Sequence, residues 1–272
     1  MATPEQPRKD TVPGMLGMAV VVSLVCSVVV TAVSVQLQPL QARNEAANRQ
    51  QNILRVVDRL DPDRPIAEQF EAIDARLVNL ESGAYVEDMD PANFDPLEAA
   101  TEPDMSVSIP DERDIASIQR RARYGEVFLV PEDGEVRYIV LPVYGMGLWS
   151  TMYGFLALES DGNTIKGLTF YEHAETPGLG DGVEKPKWLN KWEGKLVYGP
   201  EGEPLIEVIR GTVDESGAAG KPLTEGHPAF QVDGMAGATL TGRGVTNLLH
   251  YWLGPHGYGP YLNRHWRKEE TS

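Results

Sequence analysis

From Thr11 to Val35 the chain runs through valines, alanines, leucines and methionines without one charged side chain. As a helix rising 1.5 Å per residue, such a run spans roughly 35–40 Å, enough to cross the ~30 Å hydrocarbon core of a bilayer. Whatever folds after it must therefore do so beside a membrane anchor. The run is longer than a usual signal-peptide core, which favours a retained anchor over a leader cleaved near Gln41-Ala42-Arg43. Gly14, Gly17 and Ser23 offer small contact points for other membrane helices. Arg8 and Lys9 suggest that residues 1–10 face the cytoplasm, although Arg43, Arg49 and Arg55 beyond the other end blunt the charge asymmetry.

The remaining residues are numerous enough to bury a substantial core: the chain has 272 in all, 42% of them hydrophobic and 24% charged, which is the balance of a folded protein. A formal net charge of −16 argues against nucleic acid as a partner, because phosphate backbones are met by clustered Lys and Arg. Cys26 is the one cysteine. That excludes an intrachain disulfide, and it excludes a Cys-ligated zinc or iron–sulfur site supplied by this chain alone. Any redox cofactor must be held in another way.

Beyond the anchor, Ile53, Leu54, Val57 and Leu60 predict a helix ending before Asp61-Pro62, and Phe70, Ile73 and Leu77 predict a second over Ile66 to Leu80. The stretch Glu81 to Glu112 is acidic and proline-rich; without EF-hand spacing it reads as a solvated linker or lid, closing a helical and acidic region over 36–125. A short helix is expected from Asp114 to Arg123. Then the pattern turns to strands: Glu126–Val130 and Arg137–Leu141 flank a Pro-Glu-Asp-Gly-Glu turn as a hairpin, followed by Met152–Leu158, Thr164–Phe170, Lys195–Tyr198 and Leu205–Ile209. Short strands joined by Gly and Asp turns predict an α+β domain over 126–262 with a largely antiparallel sheet and flanking helices, and a tail over 263–272.

Chemistry is suggested by Asp233-Gly234-Met235-Ala236-Gly237-Ala238-Thr239-Leu240-Thr241, which leads into Val245, Leu248, Leu249 and Trp252 at helical spacing. A helix start offers unpaired N–H groups and favours an anion, so Thr239 or its neighbours can hold a phosphate, with Thr241 as a possible cap. The same residues also make a tight, threonine-capped turn that binds nothing. Two further segments stand out: Gly147-Leu148-Trp149-Ser150-Thr151-Met152-Tyr153-Gly154, and Glu172-His173-Ala174-Glu175-Thr176-Pro177-Gly178-Leu179-Gly180-Asp181. Leu148, Trp149 and Leu179 can supply flat apolar faces, and Glu175 and Thr176 a polar rim, for a planar ligand such as an isoalloxazine ring. Separately, a Trp in the core and a plain Thr-Pro-Gly turn are the simpler readings. His173 and His227 lack metal-ligand spacing, no Gly-x-Ser-x-Gly elbow occurs, and no Gly-x-Gly-x-x-Gly follows a strand. Neither a metal site nor a catalytic residue is assigned.

The run Asp-Gly-x-x-Gly-Ala-Thr-x-Thr resembles the flavin attachment motif of the FMN-binding domain family, with Ala236 where a Ser or Thr is usual. The resemblance implies FMN joined by a phosphoester to Thr239, with Gly237, Ala238, Leu240 and Thr241 around it. The Glu-Thr-Pro-Gly-Leu-Gly run belongs to the same pattern and implies Glu175, Thr176, Gly178 and Leu179 as cofactor-binding residues. Gly-Leu-Trp-Ser-Thr-Met-Tyr-Gly adds Leu148, Trp149 and Ser150; with Asn163–His173 and Tyr251-Trp252-Leu253-Gly254-Pro255 it is similar to the C subunits of sodium-translocating NADH:quinone oxidoreductases. That likeness implies an electron-transfer subunit of a multi-subunit membrane NADH:quinone oxidoreductase that reduces ubiquinone and exports Na+. It also implies a single-pass protein of the bacterial inner membrane, its main domain periplasmic and therefore extracytoplasmic. NADH oxidation would belong to another subunit. A threonine hydroxyl is too weak a nucleophile to take up FMN unaided, so a separate FAD-dependent flavin transferase is implied. The flavoprotein subunit of the ferredoxin:NAD-type (Rnf) complex is the nearer alternative, and a membrane-anchored binding or assembly module without flavin the further one.

Overall fold

The structure is a computed structural model that describes residues 12–216, 218 and 220–267. The expected cytoplasmic segment 1–10 with Arg8 and Lys9, Thr11, and residues 268–272 of the expected tail lie outside the described residues. The chain divides into two compact units, one up to Asn48 and one from Arg49 onward. Helix α1, Val12–Val56, begins in the first. Its Val12–Gln38 portion has a mean hydropathy of 2.6 and is long and apolar enough to cross a membrane. Its valines and leucines are exposed, as lipid-facing side chains are before a bilayer surrounds them.

The second unit is built on one antiparallel sheet of six strands. They are β1 (Asp74–Asn79), β2 (Tyr85–Val86), β5 (Tyr124–Glu132), β6 (Glu135–Met146), β7 (Thr151–Glu159) and β8 (Ile165–Glu172), in the order β2-β1-β5-β6-β7-β8. Two small pairs stand apart: β3 (Ser106–Ser108) with β4 (Arg120–Ala122) antiparallel, and β9 (Glu207–Val208) with β10 (Gln231–Val232) parallel. Short helices α2 (Ile66–Phe70), α3 (Pro96–Ala99) and α4 (Pro186–Leu189) lie in the connections, and α5 (Thr239–Leu253) and α6 (Gly259–His265) close the domain.

The near-continuous apolar runs of the central strands reflect a sheet buried on both faces. Val127, Leu129, Ile139, Leu141, Met152 and Leu156 share one core with Val245, Leu248, Leu249 and Trp252 of α5. Phe128, Val130, Val140, Phe155 and Ala157 share another with Ile53, Leu54, Val56 and Val57 at the end of α1. Each such side chain contributes about 1.5–3 kcal/mol on burial. The layer order is thus α1 end, sheet, α5. On the α1 side, Arg49 pairs with the buried Glu126 carboxylate and lies over the Phe128 and Phe155 rings, at 5.5 and 5.9 Å. Glu126→Ala would strand that guanidinium, at a cost of about 3–5 kcal/mol; the check is the thermal unfolding midpoint of the full chain in detergent, which should fall by several degrees.

Four stretches depart from the expectations. The second helix stops at Phe70, and Asp74–Asn79 is a strand paired with β5 from Asp74↔Leu129 to Asn79↔Tyr124. Leu77 and Val78 are both fully buried, in different clusters, so tertiary pairing overrides the helical spacing. Asp114–Arg123 is not a helix: Ser117 and Gln119 take φ of 54° and 61°, and the Asp114 carboxylate accepts from the N–H groups of Ile118 and Gln119 before β4 begins. Lys195–Tyr198 makes only isolated bridges, from Leu196 to Thr164 and from Tyr198 to Pro204. The acidic stretch is folded: Asp90 and Asp95 cap helical turns that start with Pro91 and Pro96, and Phe94 and Ala99 pack with Leu77 and Ala122.

Candidate functional site

Three segments far apart in sequence meet where β6, β8 and α5 end or begin. Helix α5 crosses β6 at two glycines, so the contact is backbone-close. A Cβ on Gly244 would lie 2.6 Å from the Met146 carbonyl oxygen, and one on Gly145 would lie 2.7 Å from Leu248 Cβ. The far end of α5 is pinned by Trp252 Nε1 donating to the Tyr144 carbonyl at 2.7 Å. This fixes the first turn of α5 beside the loop 147–150 that joins β6 to β7.

Glu175 holds that junction together. The residue is 4% exposed, and among the described residues no cation pairs with its carboxylate. Oε1 accepts from the N–H groups of Leu148 at 2.8 Å and Trp149 at 3.1 Å, and Oε2 accepts from the Thr241 hydroxyl. Side chains at two glycines would displace it, since Cβ atoms would come within 2.5 Å of Oε1 at Gly147 and 2.7 Å of Oε2 at Gly180. Two more bonds tie the loops: Trp149 Nε1 donates to Thr176 Oγ1 at 2.9 Å, and the Ala174 N–H donates to Ser150 Oγ at 2.9 Å. His173 Nδ1 accepts from the Glu175 N–H at 3.2 Å, and its Nε2 lies 3.5 Å from Glu184, so it shapes the same loop.

Thr239 is the first residue of α5 and is exposed. Ala238, buried at 3%, occupies the N-cap position, and no side chain caps the helix. The earliest intrahelical bond runs from Gly242 N–H to the Ala238 carbonyl, at 3.0 Å. The N–H groups of Thr239, Leu240 and Thr241 therefore have no helical acceptor. Gly237, with φ of 76°, makes the bend that a side chain would strain and that the Leu179 side chain covers. Upstream, Asp233 fixes the turn: Oδ1 accepts from the Val213 N–H at 2.7 Å and Oδ2 pairs with Lys191. Burial pushes the Asp233 carboxyl up, but those two partners outweigh it and hold its pKa below the ordinary value.

Among the described residues outside the anchor, most exposed large apolar side chains gather here. They are Met146, Leu148, Trp149, Leu179 and Leu240, with Trp149 at 62% exposure. Beside them a cleft of about 550 Å³ opens along β9 and the first turn of α5, with Thr239, Arg210 and Arg243 on its wall. A planar, apolar ring with a phosphate tail suits such a surface: exposed apolar faces, open helical N–H groups and a free hydroxyl.

The geometry revises two expected roles. Glu175 is a buried support and not part of a rim, and Thr241 is fully buried and neither caps α5 nor faces solvent. Leu148, Trp149, Ser150, Thr176 and Leu179 stand around the junction, and Gly178, with φ of 79°, faces open space. Nothing in the local sequence marks Gly147 and Gly180 as the positions whose bare Cα atoms make room for Glu175, or Arg210 and Arg243 as neighbours on one cleft wall.

Residues 147–254 match the FMN-binding domain family. The chain is 45% identical over 259 residues to the C subunit of the Na(+)-translocating NADH-quinone reductase of Pseudomonas aeruginosa, covering 94% of this chain and 96% of that one. It is 40% identical to the corresponding C subunit of Yersinia pestis, with 97% of each chain covered. The crystal structure of Shewanella oneidensis NqrC superposes with a TM-score of 0.72 at 34% identity, over 81% of this chain and 98% of that one. Near full-length identity at these levels, together with the antiparallel sheet behind an apolar N-terminal helix, places the chain in the family of Na(+)-translocating NADH-quinone reductase C subunits.

Proposed function

We propose that this protein carries FMN through a phosphoester on Thr239 and passes electrons within a membrane complex that oxidises NADH, reduces ubiquinone and exports Na+. The observation that carries this reading is the free hydroxyl of Thr239 on an uncapped helix start, beside exposed Trp149, Leu179 and Leu240 in a domain matching the FMN-binding family. When bound, FMN supplies one- and two-electron acceptance and release. The chain's own residues do the holding. Leu148, Trp149, Leu179 and Leu240 exclude water from the ring, and Thr239, Gly237 and Ala238 fix the tail at the start of α5. Glu175 and Thr241 keep the surrounding loops in register, with Ser150, Thr176 and Gly178 completing the frame.

Attachment belongs to a separate FAD-dependent flavin transferase, which needs the exposed Thr239. Tethering suits a domain on the periplasmic side of the inner membrane, where lost FMN is not replaced from a cytosolic pool. Other subunits of the NADH:quinone oxidoreductase supply NADH oxidation and the neighbouring redox centres. The test is to produce the full chain with and without an active transferase, and to measure intact mass and flavin fluorescence in a denaturing gel. FMN mass and fluorescence only with the transferase are expected; a chain that stays colourless beside a flavinylated control acceptor would overturn the reading. Trp149→Ala should shift the bound flavin's visible band while costing only about 0.5–1.5 kcal/mol of stability, the worth of its one side-chain hydrogen bond to Thr176.

A further inference from the structure

The cleft beside Thr239 has a charge character unlike the rest of the molecule. In a chain of net charge −16, its wall carries Arg210 and Arg243 against one acidic residue, Glu207. That carboxylate already accepts from Gln231 Nε2 at 2.9 Å, across the β9–β10 pair. Neither arginine makes an ion pair or a side-chain hydrogen bond among the described residues, although the protein's other cations are widely paired, as Lys166 is with Asp58 and Glu193. Arg243 is four residues beyond Thr239 in α5, hence on the same helix face one turn away. Arg210 follows β9 and faces the same opening. Two guanidinium groups unpaired among the described residues share this wall with an exposed hydroxyl at an uncapped helix start, a set of groups suited to a phosphate or diphosphate.

We propose that Arg210 and Arg243 are positioning residues for flavin attachment: they hold the diphosphate of the incoming flavin dinucleotide in this cleft so that its flavin-side phosphorus faces Thr239 Oγ1. The inference rests on the reading of Thr239 as the acceptor. In the step itself the Thr239 oxygen–phosphorus bond forms and the diphosphate P–O–P bond breaks. AMP leaves, the hydroxyl proton passes to a base of the transferase, and no electron changes hands. Afterwards the same pair faces the single negative charge of the phosphodiester. Ala236 on the cleft wall offers no hydroxyl to a phosphate.

The test is a time course of flavin attachment to the full chain in detergent, with FAD and the transferase, at several acceptor and salt concentrations. The acceptors are wild type, Arg210→Gln, Arg243→Gln, both together, and Lys at both positions. Each single Gln variant should lose about tenfold in kcat/KM for attachment and the double variant more. The Lys variant should recover part of the rate, since it restores the charge without the bidentate fork, and the salt dependence of the wild type should flatten in the double Gln variant. Attachment to the double Gln variant at the wild-type rate, or a Lys variant no faster than Gln, would overturn the proposal. Failure of the wild type itself to take up flavin, with a control acceptor labelled, would instead sink the Thr239 reading on which it rests.

Discussion

Thr239→Ala should fold normally and carry no covalent flavin, while Thr239→Ser should retain it. Thr239 sits exposed at the first position of α5 and its side chain caps nothing, so its loss should change stability by about 0.5 kcal/mol or less. Its chemistry has no local substitute. Thr241, two residues on, is fully buried and donates its hydroxyl to Glu175, so it can neither reach a phosphate nor release its proton without breaking the junction. In-gel fluorescence should therefore fall to background in the Ala variant. Residual fluorescence carried on Thr241 would show that the first turn of α5 opens, contrary to this account.

Glu175→Ala should be the substitution most damaging to the site away from the acceptor. The carboxylate satisfies three donors, the N–H groups of Leu148 and Trp149 and the Thr241 hydroxyl, in a site 4% exposed. Leaving the buried Thr241 hydroxyl without a partner costs about 1–3 kcal/mol, and the two part-buried N–H groups add less because water can reach them, so roughly 2–3 kcal/mol is expected against a typical total of 5–15 kcal/mol. The loops bearing Trp149 and Leu179 would lose their common anchor, and flavin attachment should fall with the unfolding midpoint. Glu175→Gln keeps one acceptor oxygen but turns an NH2 group toward donors, and should be intermediate. An Ala variant as stable as wild type would mean that the loops are held by their other bonds, Trp149 to Thr176 and Ala174 to Ser150.

Much of this architecture was legible in the chain. The uncharged run predicted the anchor helix, the apolar runs around 126–170 predicted four central strands, and Val245, Leu248, Leu249 and Trp252 marked the buried face of α5. What escaped was set by partners remote in sequence. Asp74–Asn79 has helical spacing but finds β5 some fifty residues on, and Leu196 and Tyr198 bridge to single residues instead of forming a strand. The Asp-Pro pairs at 90–91 and 95–96 are readable as N-cap and first-turn positions, yet the acidity around them pointed to a linker. At the site, residue types indicated a planar ligand and a phosphate, but not that Glu175 is buried. That follows from Gly147 and Gly180, whose meaning appears only when β6, β8 and α5 converge.

Residue-level mass spectrometry tests the central claim most directly. Trypsin should release Gly211–Arg243, because Lys221 precedes a proline, and this peptide also contains Thr212, Ser216, Thr224 and Thr241. From a chain matured with the transferase, fragment ions should place the added FMN phosphoryl on Thr239 alone. The same mass on another hydroxyl, or an unmodified peptide from a chain whose flavin washes away on denaturation, would contradict the account.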